Sequence, residues 1–347
     1  MRLGKVEITN KVVAAPMAGV SNRAFRTLAR EMGAGLVVTE MVSDMALRHD
    51  HRATFRMLEL SPEEHPVAVQ LFGNSAGGMA EGAKVVEASG ADLIDLNLGC
   101  PTAKIVRSGA GAALLRDPPL ASEIMSAVVR AVGVPVTVKL RIGWDEDSIN
   151  ITEMTRRAEA AGVVAITIHG RTRMQGYAGR ADWEAIRRGR EAVGLPVFGN
   201  GDVFSALAAK TMLQQTGCAG VAIARGSLGN PWLFRQVAHY LATGQLLPGP
   251  TREERVAVAL RHLNMLVELK GEYIGVREMR KHGAWYSRGL AGAAALRRRI
   301  MAAKSVEEMA AALREMGRGS GGEEREDGPA GDPGNEWHST PPTGRDG

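Results

Sequence analysis

Short aliphatic runs alternate eight times with longer amphipathic stretches, and that alternation limits the folds open to this chain more than any other feature. The strand-like runs fall near residues 12–15, 36–39, 67–71, 93–97, 136–140, 165–169, 197–199 and 220–223. Stretches between them, such as 22–32, 76–89, 120–132, 151–161, 181–193 and 204–216, repeat apolar residues at helical spacing. Eight strand-then-helix units in this order predict an α/β fold whose sheet closes into a (β/α)8 barrel. An open doubly wound sheet is the main alternative. It is disfavoured because no strand leads into Gly-x-Gly-x-x-Gly and no Gly-x-x-x-x-Gly-Lys-Ser/Thr loop occurs.

The barrel is expected over residues 1–245, a small all-helical domain over 251–316 and a disordered tail over 317–347. Hydrophobic residues make up 45% of the 347 but aromatics only 4%, so the core has to be aliphatic. Cys100 and Cys218 offer no disulfide framework and suit a reducing compartment. The first residues hold no apolar signal core, and no apolar run is long enough to span a bilayer, so the cytoplasm is expected. His49-Asp50-His51 holds the one close histidine pair; with no thiol nearby it reads as helix surface, and no metal is expected.

Polar residues gather directly after the strands, on what would be the C-terminal rim of the barrel. Pro16-Met17-Ala18-Gly19 follows the first strand, Gln70 ends the third, and Asn97-Leu98-Gly99-Cys100-Pro101 ends the fourth. Lys139 and Arg141 end the fifth, His169-Gly170-Arg171 the sixth, Asn200-Gly201-Asp202 the seventh and Ala224-Arg225-Gly226 the eighth. Any one of these is compatible with ordinary turn chemistry, and Cys100 alone with a small buried apolar side chain. All of them on one rim make an active site. Loops after the last two strands of such barrels often hold a phosphate on backbone N–H groups. Gly201 and Gly226 permit that approach, and Arg225 adds a fork suited to phosphate. Gln70 and the Pro16–Ala18 backbone would meet the other end of a planar ligand, and Lys139 would sit where a reduced flavin gathers negative charge. FMN fits this pattern better than a bare sugar phosphate.

These residues resemble the tRNA-dihydrouridine synthases, most closely the bacterial B-type branch. The resemblance runs from about Val12 to Met316. It rests on Ala15-Pro16-Met17-Ala18-Gly19-Val20, Asn97-Leu98-Gly99-Cys100-Pro101, Val138-Lys139-Leu140-Arg141-Ile142-Gly143-Trp144, His169-Gly170-Arg171-Thr172-Arg173, Gly199-Asn200-Gly201-Asp202 and Ala224–Trp232. One departure is Ala224, where the family usually has Gly; alanine can serve there if its φ is negative. The resemblance implies an FMN enzyme that reduces a uridine of tRNA to 5,6-dihydrouridine, recharged by NADPH. It implies Cys100 as the proton donor to C5, since a thiol is mostly protonated at neutral pH. It places Pro16, Met17, Ala18, Gln70, Lys139, His169, Asn200, Gly201, Asp202, Ala224 and Arg225 against the cofactor. Asn97, Arg141, Arg171 and Lys281 fall on the substrate side.

Beyond Pro250 helical patterns take over, at 252–270, 276–288 and 291–316. Between Arg277 and Lys304 the net charge is +7, more than the +5 of the whole chain, with Trp285 and Tyr286 as aromatic surface between the cations. A charge run can be a mere solvated face, but beside a barrel working on a base it reads as a platform for RNA phosphates. In the family this region is a helical tRNA-binding domain. Residues 317–347 are rich in Gly and Pro and too poor in apolar surface to offset ordering. No membrane and no obligate protein partner are implied. Two rivals stand beside this reading: an FMN barrel acting on a free pyrimidine or another small molecule, and a non-catalytic RNA-binding protein.

Overall fold

Strands of a closed parallel barrel are buried on both faces, which is why their sequences read as nearly unbroken aliphatic runs. The computed structural model describes residues 1–49 and 51–318. Among them the barrel strands are β1 (Val12–Ala14), β2 (Leu36–Val38), β3 (Val67–Phe72), β4 (Leu93–Leu98), β5 (Val136–Arg141), β6 (Ala165–His169), β7 (Val197–Asn200) and β8 (Gly220–Ile223). Each pairs in parallel with the next, and β8 closes on β1 through Val221–Val12, Ala222–Val13 and Ile223–Ala14. The expected (β/α)8 barrel is present, with strand ends within one residue of expectation.

Period-two alternation then decides which side chains enter the barrel. On β4, Leu93, Asp95 and Asn97 face in, while Ile94, Leu96 and Leu98 pack outward against the helices. Inward positions are apolar at the N-terminal end, with Ala68, Leu93, Ala165 and Phe198, and polar at the other. An unexpected hairpin, Arg2–Leu3 with Val6–Glu7, closes the bottom by inserting Leu3 and Ile8 among those residues. The barrel is a filled core with one open, polar mouth.

The outer helices are α1 (Arg23–Glu31), α2 (Ala76–Ala88), α3 (Pro118–Ala131), α4 (Ile151–Ala160), α5 (Trp183–Glu191), α6 (Ala206–Thr216) and α7 (Leu233–Thr243). Side chains of Asn22, Ser75, Asp117, Asp182 and Ser205 accept from the opening N–H groups of α1, α2, α3, α5 and α6, which sets where those helices start. From Arg252 on, α8 (Arg252–Lys270), α9 (Glu272–Tyr286), α10 (Ala293–Ala302) and α11 (Val306–Arg314) build a second apolar core around Leu263, Met279, Ile300 and Leu313. Ala24 and Trp232 of the barrel join that core. The helix expected at 291–316 is two helices, broken at Ala303-Lys304-Ser305, with Ser305 capping the second. The tail expected over 317–347 begins on a 3-10 turn at Glu315–Gly317 and lies outside the described residues from 319 on. Among the described residues no helix is long and apolar enough to cross a membrane.

Candidate active site

The open mouth of the barrel holds a cavity of about 520 Å³. Its walls come from the rim segments picked out in the sequence, because inward side chains at the strands' C-terminal ends point there. Of the candidate residues, all line it except Arg171 and Lys281.

One wall is a chain of side-chain hydrogen bonds. Asp95, 4% exposed, accepts from Thr137 Oγ1 at 2.7 Å and from Gln70 Nε2 at 2.7 Å. Gln70 Oε1 accepts from Asn97 Nδ2 at 2.7 Å. Asn97 Oδ1 accepts from the backbone N–H groups of Gly99 at 3.1 Å and Cys100 at 2.9 Å. The Cys100 thiol is half-buried and lies 3.3 Å from Thr102 Oγ1. Gln70 and Asn97 thus line the cavity with amides already committed to one another, which the sequence did not reveal.

The second wall is cationic. Burial, reinforced by the Arg141 guanidinium, brings the Lys139 ammonium down to about 8, while Asp95 and Cys100 oppose the shift. No hydrogen bond reaches the Lys139 amine from any described residue. His169 is held well below the usual histidine range by burial and then by Arg141, Lys139, Arg171 and Arg225, so its imidazole is neutral at pH 7. Arg141 donates to the carbonyls of Gly99 at 2.9 Å, Thr172 at 2.6 Å and Gly176 at 2.8 Å. It therefore ties the cysteine turn to the loop after β6.

The third wall is the pair of loops after β7 and β8. Gly201 has φ +120°, and Asp202, at φ +58°, is the one non-glycine among the described residues with positive φ. That turn aims the Asp202 carboxylate at Arg171 Nη2 (2.8 Å), Arg225 Nη2 (3.0 Å) and the Ala181 N–H (2.7 Å). At Gly226 an added Cβ would lie 2.2 Å from Val203 O, so the loop tolerates no side chain. Ala224 has φ −112°, the negative value that lets alanine stand in for glycine.

Two expected substrate contacts lie elsewhere. Arg171, 1% exposed, sits behind the cavity wall, bonded to Asp202, Ala178 O and Gly179 O. It buttresses the loop because a guanidinium buried at that depth has to be satisfied by nearby oxygens. Lys281 of α9 donates to the Gly19 carbonyl, beside the Pro16–Ala18 turn, and joins the helical end to the first barrel loop. Tyr286 is not aromatic surface: it is buried and bonded to His262. Trp285 instead reaches the cavity from α9. Tyr177, held out by the Arg141- and Arg171-bonded loop, stands 5.5 Å and 5.2 Å from the Arg141 and Arg225 guanidinium carbons. Asp95, Thr137, Tyr177 and Trp285 are the additions. Asp95 and Thr137 had a signal in their inward parity with Asn97 and Lys139, and Trp285 stood out as an aromatic among cations, though not as a cavity residue.

Residues 12–318 match the family model of dihydrouridine synthases. The chain is 42% identical over 317 residues to tRNA-dihydrouridine synthase B of Pseudomonas aeruginosa, covering 91% of this chain and 95% of that one. It is 43% identical over 309 residues to a probable tRNA-dihydrouridine synthase 1 of Synechocystis, covering 89% and 86%. A solved histamine dehydrogenase from Rhizobium sp. 4-9 superposes with TM-score 0.56 at 14% identity, over 76% of this chain and 50% of that one, a likeness of fold alone. The protein is an enzyme whose chain belongs to the dihydrouridine synthase family.

Proposed function

We propose that this enzyme reduces a uridine of tRNA to 5,6-dihydrouridine, with FMN held in the barrel mouth and NADPH as reductant. The observation that carries the reading is the convergence of Cys100, Lys139, His169 and Arg225 on one cavity of about 520 Å³. That volume suits a mononucleotide-sized ligand. Among the described residues, Asp95 and Asp202 set two carboxylates beside the four cations around His169, a balance that favours an anionic guest. The Gly226 loop, with no room for a side chain, offers backbone to a phosphate, and Arg225 adds a cation held in place by Asp202.

FMN held there would supply the hydride for C6 of the uracil, with NADPH as its reductant. Uridine, NADPH and a proton become dihydrouridine and NADP⁺. The Cys100 S–H bond breaks toward C5 as the new C5–H bond forms, and the sulfur regains its proton from solvent. Lys139, on the cavity wall, would counter the negative charge that a reduced flavin carries. The neutral His169 imidazole offers a donor or acceptor there without adding charge. A base inside the RNA stack cannot reach the thiol, so the target nucleotide turns outward into the mouth. Residues 1–245 serve as the catalytic unit and 251–316 as the RNA-binding unit, with Trp285 as the point where the second enters the site of the first. The setting is the cytoplasm, where tRNA and reduced nicotinamide meet.

The test is to isolate the protein, read its flavin spectrum, reduce it anaerobically with NADPH and add tRNA lacking dihydrouridine. Nucleoside mass spectrometry should then find uridine heavier by two hydrogens. Turnover on free uracil or uridine with none on tRNA would overturn the substrate assignment, and protein that neither carries nor takes up FMN would overturn the cofactor.

A further inference from the structure

Asp95 has no part in the chemistry just described, yet it anchors a hydrogen-bonded chain that ends on the cysteine turn. The backbone N–H groups of Gly99 and Cys100 can only donate, to Asn97 Oδ1, and this fixes the direction of every link back to Asp95. Facing Asp95 Oδ2, Gln70 has to present its Nε2, at 2.7 Å, and so turns its Oε1 the other way. There Asn97 Nδ2 donates at 2.7 Å, which leaves Asn97 Oδ1 toward the N–H groups of Gly99 and Cys100. Every link has the single polarity in which no donor meets a donor. Thr137 fixes the carboxylate at its other oxygen, and Arg141 holds the Gly99 carbonyl from the opposite side of the turn.

We propose that Asp95 is a positioning residue which, through Gln70 and Asn97, holds the Gly99–Cys100 turn and its thiol in place at the cavity. The inference rests on the reading of Cys100 as proton donor. It differs from a packing role because what it transmits is hydrogen-bond direction, and direction can be altered without altering volume. Asp95→Asn keeps the chain: its side-chain oxygen accepts from Gln70 while its NH₂ donates to the Thr137 hydroxyl, which accepts as readily as it donates. Asp95→Ala severs the chain at its root, and Gln70→Met severs it in the middle with similar side-chain length.

Two readouts on the full-length protein test this. Amide hydrogen exchange at Gly99 and Cys100, followed with and without FMN, should quicken about ten-fold or more in Asp95→Ala and Gln70→Met, as local opening becomes easier. Reoxidation of NADPH-reduced flavin by tRNA should slow by about 10²-fold in Asp95→Ala, the effect of misplacing a reacting group by roughly an ångström, with half-saturating tRNA unchanged. Asp95→Asn should recover both. Parent-like exchange and reoxidation in Asp95→Ala would overturn the proposal, as would equal losses in Asp95→Asn, which would assign the effect to charge. Should Asp95→Ala fail to fold, Gln70→Met carries the amide-exchange readout alone, and parent-like exchange in that variant overturns the proposal. If no form reduces tRNA while the amides respond as stated, the functional reading fails and the positioning of the turn stands.

Discussion

Cys100 and Cys218 are the chain's two thiols, and their surroundings assign them different work. Cys218 is buried, its amide bonded to Thr216, and burial pushes its thiol up from the ordinary value. Cys100 is half-exposed on the cavity, with its backbone pinned by Asn97 and by the Ala112 N–H on its carbonyl. A substitution at Cys100 therefore removes the proposed acid while leaving Lys139, Arg225 and the glycine loops in place. Cys100→Ala should keep FMN and accept hydride from NADPH at the parent rate. Its reoxidation by tRNA should slow by about 10²-fold, the usual weight of a general acid. Cys218→Ala should match the parent in both halves. Stopped-flow absorbance under anaerobic conditions separates the two, and equal reoxidation in Cys100→Ala and the parent would remove Cys100 from the chemistry.

Between α8 and α9 the helical end buries an acid-sensitive contact. His262 and His282 pack with ring centroids 4.3 Å apart and planes tilted by 52°, and Tyr286 OH lies 3.2 Å from His262 Nδ1. Burial, with Lys281 adding to it, pushes His262 down to about 3. An unfolded histidine binds its proton near 6.5, so the unfolded chain takes up a proton that the folded one refuses. The contribution is whole above pH about 7 and is lost as the pH falls, by roughly 2 kcal/mol between pH 7 and 5 from His262 alone. Calorimetry should show unfolding free energy falling over that interval, and His262→Phe should flatten the fall; an equal slope in both would discard the assignment. None of this contact was legible in the sequence, because a helical histidine looks the same whether it meets solvent or a second ring. The barrel strands were legible to within a residue, since two-sided burial writes itself as a continuous apolar run. The N-terminal hairpin was not, because its two-residue strands are too short to show a period. The α10–α11 break was hidden by alanines that continue helical spacing up to Ser305. At the site the strand-end residues stood out, whereas the burial of Arg171 depends on which oxygens the loop after β6 folds back, which no local pattern records.

Across the whole molecule, charge is the property that sequence counting overstated. The helical end carries net +7 between Arg277 and Lys304. Several of those cations already have partners within the chain: Arg280 donates twice to Ala303 O, Lys281 holds the Gly19 carbonyl, and the exposed Arg299 pairs with Glu315. Arg297 and Arg298, on the exposed side of α10, pair with no described carboxylate. RNA phosphates approaching that face therefore meet two unengaged guanidiniums rather than three. Each phosphate contact releases condensed counterions, so affinity falls with salt in proportion to the number of contacts. Replacing Arg297 and Arg298 by alanine should lower the slope of log affinity against log salt by about 1.4 to 1.8. Adding Arg299→Ala should change the slope less than either of the first two did, because that side chain has a carboxylate partner to lose. Flavin reduction by NADPH should stay at the parent rate in both variants, since α10 lies outside the cavity wall. The measurement is filter binding or fluorescence anisotropy with unmodified tRNA across a salt series. A slope unmoved by the double substitution would make this face a solvated surface and leave RNA binding to the barrel rim.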